Sequence, residues 1–123
     1  MILKDFYTVQ SQHTLGSTIT TIIAVNKDHE IFKGHFPNNP VMPGVCMIQI
    51  IKEITEEVTK KSLFISVLSN IKFMALINPE ENPILKIETI ITEEDNEVKI
   101  KNTSWFQDTM ALKLSATFKI TDS

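Results

Sequence analysis

The chain has 123 residues, 42% apolar and 22% charged, a size and balance that suit a single domain with its own core and exclude a disordered or membrane-embedded chain. Twelve basic against fifteen acidic side chains give a net charge of −3, which argues against an electrostatic grip on nucleic acid. Cys46 is the single cysteine, so neither an intrachain disulfide nor a cysteine-rich zinc site is available, and a reducing, cytoplasmic setting fits.

Residues 1–6 show no long apolar region and no small-residue cleavage site, so no secretory signal is expected. No later apolar run approaches the ~18 residues of a membrane span. Residues 6–9 and the Thr/Ile-rich run Thr18–Val25 read as strands. Next comes a window, residues 34–44, that holds Gly34, Gly44, Pro37, Pro40 and Pro43. Glycine relaxes backbone sterics and proline fixes φ, so the path of this segment matters more than its burial.

The pattern predicts a helix over residues 45–58, where Met47, Ile50, Ile51, Ile54 and Val58 recur at helical spacing and Pro43 occupies the first turn. Its first half, Val45-Cys46-Met47-Ile48, is apolar all round, which predicts burial on every side. Four strands follow, Leu63–Phe73, 84–91, Glu97–Phe106 and Thr109–Ile120, with a loop over 78–83 and short hairpin turns at 94–96 and 107–108. The last strand alternates best, with Met110, Leu112, Leu114, Ala116, Phe118 and Ile120 in phase. The expectation is an α+β domain, residues 1–123, in which one long helix covers the apolar face of a four-stranded antiparallel meander.

The three histidines, His13, His29 and His35, lack the spacing of a metal site, and no nucleophile elbow, P-loop or dinucleotide fingerprint is present. No metal or cofactor is therefore implied. His35 stands out because proline and glycine fix the backbone around it. A helix N-terminus follows, with unpaired N–H groups expected at Gly44, Val45 and Cys46. Such a terminus stabilises negative charge on a carbonyl oxygen, and a base beside it is what proton abstraction next to a carbonyl requires.

The run Gly34-His35-Phe36-Pro37-Asn38-Asn39-Pro40-Val41-Met42-Pro43-Gly44-Val45 resembles the signature of the β-hydroxyacyl-acyl-carrier-protein dehydratases of fatty acid biosynthesis. The resemblance implies the hot-dog fold, a curved antiparallel sheet wrapped around one long helix. It also implies a homodimer or higher homo-oligomer with active sites at the interface. It makes His35 the base that takes the α-proton of a 3-hydroxyacyl thioester. It assigns Gly44, with Val45 and Phe36, to substrate binding. The family's acid, fourteen residues beyond the histidine, falls on Gln49, and an amide cannot deliver a proton to a leaving hydroxide. Glu53, one helical turn on, is the nearest substitute, with Glu30 and His29 as further candidates; a related subunit in a heterodimer is another source of acid.

Three readings stay open: a dehydratase acting on carrier-bound or CoA-bound substrates, a hot-dog thioesterase, and a catalytically impaired acyl-binding partner subunit. Cys46 reads as core, and Trp105 and Phe106 as either packing or an acyl-pocket wall. Lys72, Lys99, Lys101 and Lys113 are available to an acidic acyl carrier protein if the fold gathers them.

Overall fold

The structure is a computed structural model that describes residues 4–34 and 40–121. Six strands, β1 (Tyr7–Leu15), β2 (Thr18–Val25), β3 (Leu63–Phe73), β4 (Ile84–Glu94), β5 (Glu97–Phe106) and β6 (Thr109–Ile120), form one sheet. All neighbours are antiparallel, in the order β1-β2-β4-β5-β6-β3. A one-turn helix α1 (Ile31–Gly34) follows β2, and the sixteen-residue helix α2 (Gly44–Thr59) precedes β3.

The side chains sort as strand geometry requires. In β4, Leu85, Ile87 and Thr89 are buried while Lys86 and Ile90 are exposed. In β6, Leu112, Leu114, Ala116 and Phe118 are buried. Helix α2 turns Cys46, Met47, Ile50, Ile51 and Ile54 into the same core. Pro43 caps the helix from outside with extended ψ of 140°, rather than occupying its first turn. At the far end Lys60 adopts the left-handed conformation and its N–H closes on the Glu56 carbonyl at 2.9 Å. The Leu63 N–H donates to the Glu56 carboxylate at 2.9 Å, leading the chain into β3.

The expected four-strand meander is corrected. Only β4, β5 and β6 run as a meander; β3 crosses to the far edge and pairs with β6, and β2 pairs with β4. Hydrophobic alternation assigns faces but not neighbours, so pairing order was open to this error. Strand β1 is longer than expected because it is an edge strand exposed on both faces after Tyr7, which leaves no alternation to read. Strand β4 runs to Glu94 on polar residues that lie beyond the core, and turns into β5 through Asp95 and Asn96, both at positive φ.

Two isoleucines three positions apart test this face assignment. Ile87→Ala, on the core face, should cost about 2–5 kcal/mol in urea unfolding. Ile90→Ala, on the outer face, should stay within about 0.5 kcal/mol.

Candidate active site

The N-terminus of α2 is open. No side chain among the described residues caps it, and its first turn carries no acidic residue. The N–H groups of Cys46 and Met47 turn back to the Pro43 carbonyl at 3.0 and 3.4 Å. This corrects the expectation of a free Cys46 amide. Gly44 and Val45 keep N–H groups without a hydrogen-bond partner among the described residues. Two amides and the positive end of a helix dipole thus face one place.

That place adjoins an apolar pocket of about 340 Å³, lined by Met42, Gly44, Met47, Phe73, Leu76 and Leu112 among others. Gly44 lets the Phe73 ring approach closely: a Cβ there would lie 2.8 Å from the end of that ring, which would have to swing aside. Val45 departs from the all-round burial expected of this end, since its side chain is 67% exposed on the side of the helix away from the sheet. Among the described residues, nothing covers that side.

One turn into the helix, position 49 holds a half-buried Gln, and four residues on lies Glu53. Residues four apart share a helix face, and Gln49 Nε2 donates to Glu53 Oε2 at 3.0 Å. The other carboxylate oxygen, Oε1, accepts from the Tyr7 hydroxyl of β1 at 2.8 Å. Burial, then the hydrogen bond to Glu53, then its charge push the Tyr7 pKa well above the ordinary 10.0. Tyr7 therefore remains a hydroxyl donor throughout the neutral range. Neither it nor its link to Glu53 was foreseen, because the contact joins residues that are far apart in the chain.

The other sequence candidates separate clearly. His35 and Phe36 lie outside the described residues. His29 is structural: Nδ1 accepts from the Ile31 N–H at 3.1 Å, which leaves Nε2 to donate to the Lys4 carbonyl at 3.0 Å, and its ring packs edge-on against Phe6. The Glu30 side chain is exposed. Cys46 is fully buried, and burial pushes its thiol pKa up, as suits a core residue. Trp105 lies under the Lys86 ammonium at 5.1 Å, and neither it nor Phe106 lines the pocket. The wall comes instead from residues 73–77, a run that the sequence reading had not singled out.

The lysines do gather. Lys72 sits opposite Lys113 across β3 and β6, and both line a groove on the outer sheet face with Lys101. Lys99 and Lys101 line the adjoining groove. Lys99 pairs with Glu94 at 3.3 Å, whereas Lys72, Lys101 and Lys113 have no ion pair among the described residues.

Tyr7 is the only tyrosine, so alkaline titration read by phenolate absorbance reports it alone. No phenolate should appear at the ordinary value of 10.0. Stability contributed by the raised pKa is complete below that pH and falls as pH climbs above it. Glu53→Gln should lower the midpoint towards the ordinary value without reaching it, since burial remains the largest cause.

Comparison with known proteins places this geometry. A family model for ApeI-like proteins, described as ApeI dehydratase, matches residues 10–113. The 3-hydroxyacyl-acyl-carrier-protein dehydratase FabZ of Lactobacillus helveticus is 30% identical over 115 residues, covering 87% of this chain and 76% of that protein. The FabZ of Rickettsia akari is 30% identical over 117 residues, covering 88% and 79%. Among solved structures, the dehydratase heterocomplex ApeI:P of Xenorhabdus doucetiae superposes with a TM-score of 0.74 at 17% identity, covering 91% of this chain and 96% of that one. A hypothetical thioesterase with coenzyme A from Streptococcus pneumoniae gives 0.70 at 12% identity, covering 99% and 92%. These structures share the hot-dog arrangement of sheet and helix. With a family model matched through most of its length and FabZ relatives aligned along nearly all of it, the chain belongs to the ApeI-like dehydratase family of hot-dog proteins.

Proposed function

We propose that the chain dehydrates 3-hydroxyacyl thioesters to trans-2-enoyl thioesters in fatty acid or related acyl-chain biosynthesis, with His35 as base. The observation that carries this reading is the open α2 terminus, where Gly44, followed by Val45, lines an apolar pocket and both amides lack a partner among the described residues. A thioester oxygen on those amides would gain charge as the α-proton leaves, and the fixed N–H groups stabilise that charge without reorganising. The acyl chain would lie against Met42, Phe73 and Leu112, with Phe36 as a further substrate-binding residue. Gln49 orients the 3-hydroxyl, and the proton that the departing hydroxide needs arrives through water. A positioned acid is worth about 10²–10⁴ in rate, so the wild type turns over slowly.

The substrate is carried by an acyl carrier protein. Lys72, Lys101 and Lys113 offer unpaired positive charge to an acidic carrier, and Lys72 precedes Phe73 of the pocket wall. The same site accepts the pantetheine arm of CoA. The chain acts as one hot-dog domain that joins a second hot-dog chain along β3, an open sheet edge that exposes Phe64, Val67 and Phe73. A copy of itself gives a homodimer. A related chain carrying an acid at the position of Gln49 gives a heterodimer, the assembly named for the Xenorhabdus doucetiae structure.

The test is hydration of an enoyl thioester on carrier protein, followed by loss of conjugated absorbance. Wild type should turn over slowly and His35→Ala should be silent. Gln49→Glu should be faster by about 10²-fold. That substitution sets two carboxylates side by side at the present 3.0 Å contact, and like charges so close keep one proton bound, ready to donate. Release of free thiol from saturated acyl thioesters, with no hydration, would replace the reading by a thioesterase. Silence in wild type with activity on adding a second hot-dog chain would make this chain the partner subunit.

A further inference from the structure

The Gln49 amide has two ends of opposite character, and the fold selects which one faces a ligand. Its Nε2 donates to Glu53 Oε2 at 3.0 Å. A carboxylate only accepts, so the reverse orientation would set the Gln49 oxygen against another acceptor, losing a charge-assisted bond and adding repulsion. That preference favours the observed orientation by roughly ten- to a hundredfold. The carboxylate is itself pinned, since Oε1 receives the Tyr7 hydroxyl at 2.8 Å from a different element. One contact runs along the helix and the other spans β1 to α2, so the plane of Glu53 is set from two directions.

We infer that Tyr7 and Glu53 are positioning residues that fix the polarity of Gln49, so that its Oε1 is presented as a hydrogen-bond acceptor to the 3-hydroxyl of the substrate. This rests on the proposal above that Gln49 meets that hydroxyl. The consequence is selectivity: an acceptor held in place receives the hydroxyl hydrogen of a 3-hydroxyacyl group and has nothing to hold on a saturated one. Glu53 then serves by orienting its neighbour, not as a substitute acid.

Binding separates this from a merely structural role. The probes are a 3-hydroxyacyl amide of pantetheine, which resists dehydration because an amide acidifies the α-carbon less than a thioester, and its saturated counterpart. Both are measured by calorimetry in short- and medium-chain forms. Wild type should prefer the hydroxylated probe by about tenfold, the worth of one hydrogen bond. In Glu53→Gln the facing amide offers either a donor or an acceptor, so the preference should fall to about twofold or less while the saturated probe binds as before. Tyr7→Phe, which leaves Glu53 in place but unpinned, should lose about threefold of the preference. It decides the matter should Glu53→Gln not fold. An unchanged preference in these variants, or equal weakening of both probes, overturns the inference and leaves the dehydratase reading intact. A wild type that binds neither probe sinks that reading, and this inference with it.

Discussion

A sixteen-residue helix has to satisfy the apolar face of a six-stranded sheet whose buried side chains come mainly from β2, β4, β5 and β6, and the dimensions of everything else follow from that demand. Met47, Ile50, Ile51 and Ile54 fill the space above Ile87, Val98 and Leu112 with almost no residual exposure. Interiors packed to this density transmit displacement, so the axial position of α2 is set by side chains that have no part in chemistry. Its N-terminus, with the Gly44 and Val45 amides that have no partner among the described residues, inherits that precision. Phe73 closes the arrangement from the edge strand, its ring tip lying directly against Gly44.

The electrostatic design of the site is one of omission. A helix start in a protein commonly receives an Asp or Ser cap, or an acidic side chain in its first turn. Among the described residues both are missing here, so the positive end of the α2 dipole stands without a side-chain counterpart. Position 49 follows the same logic, carrying a neutral amide where a carboxyl stands in the family signature. Glu53 and Tyr7 nevertheless supply an ionisable group and a proton donor within one hydrogen-bonded chain. The polar contacts thus lie one turn further from the helix start, in a chain that runs from Tyr7 through Glu53 to Gln49.

Much of the fold was legible because burial imposes a period. The buried set of β6 and the apolar stripe of α2 are visible as periods of two and 3.6. The alternation of β5 was harder to see for a physical reason: Asn102 and Ser104 occupy the core face. They are satisfied there by bonds at 2.9 to 3.2 Å among themselves, Thr89 and the Glu88 carbonyl. A polar residue paired across strands looks like a solvent residue in sequence. Pairing order was illegible since β3 could join β4 or β6 with the same face inward. At the candidate site, the start of α2 was legible from local residues, whereas position 49 was singled out only by the resemblance. Tyr7, 46 positions from Glu53, was not legible, and neither was the part of the pocket wall over 74–77, which follows β3 outside any strand or helix.

The crossing of β3 to the far edge also sets an order of events during synthesis. Leu63 lies opposite Ile120 and Phe73 opposite Leu112, so the partner of β3 is the strand made last of the six. While β4 and β5 emerge, β2 and β4 can already zip together, but β3 waits with Phe64, Val67 and Phe73 unpaired and α2 lacks part of its floor. Non-local pairings of this kind are slow and expose sticky edges until they close. A nascent chain halted before Thr109 is then not a smaller version of the domain. It is a set of strands with a gap where its last neighbour belongs, open to whichever other edge it meets first.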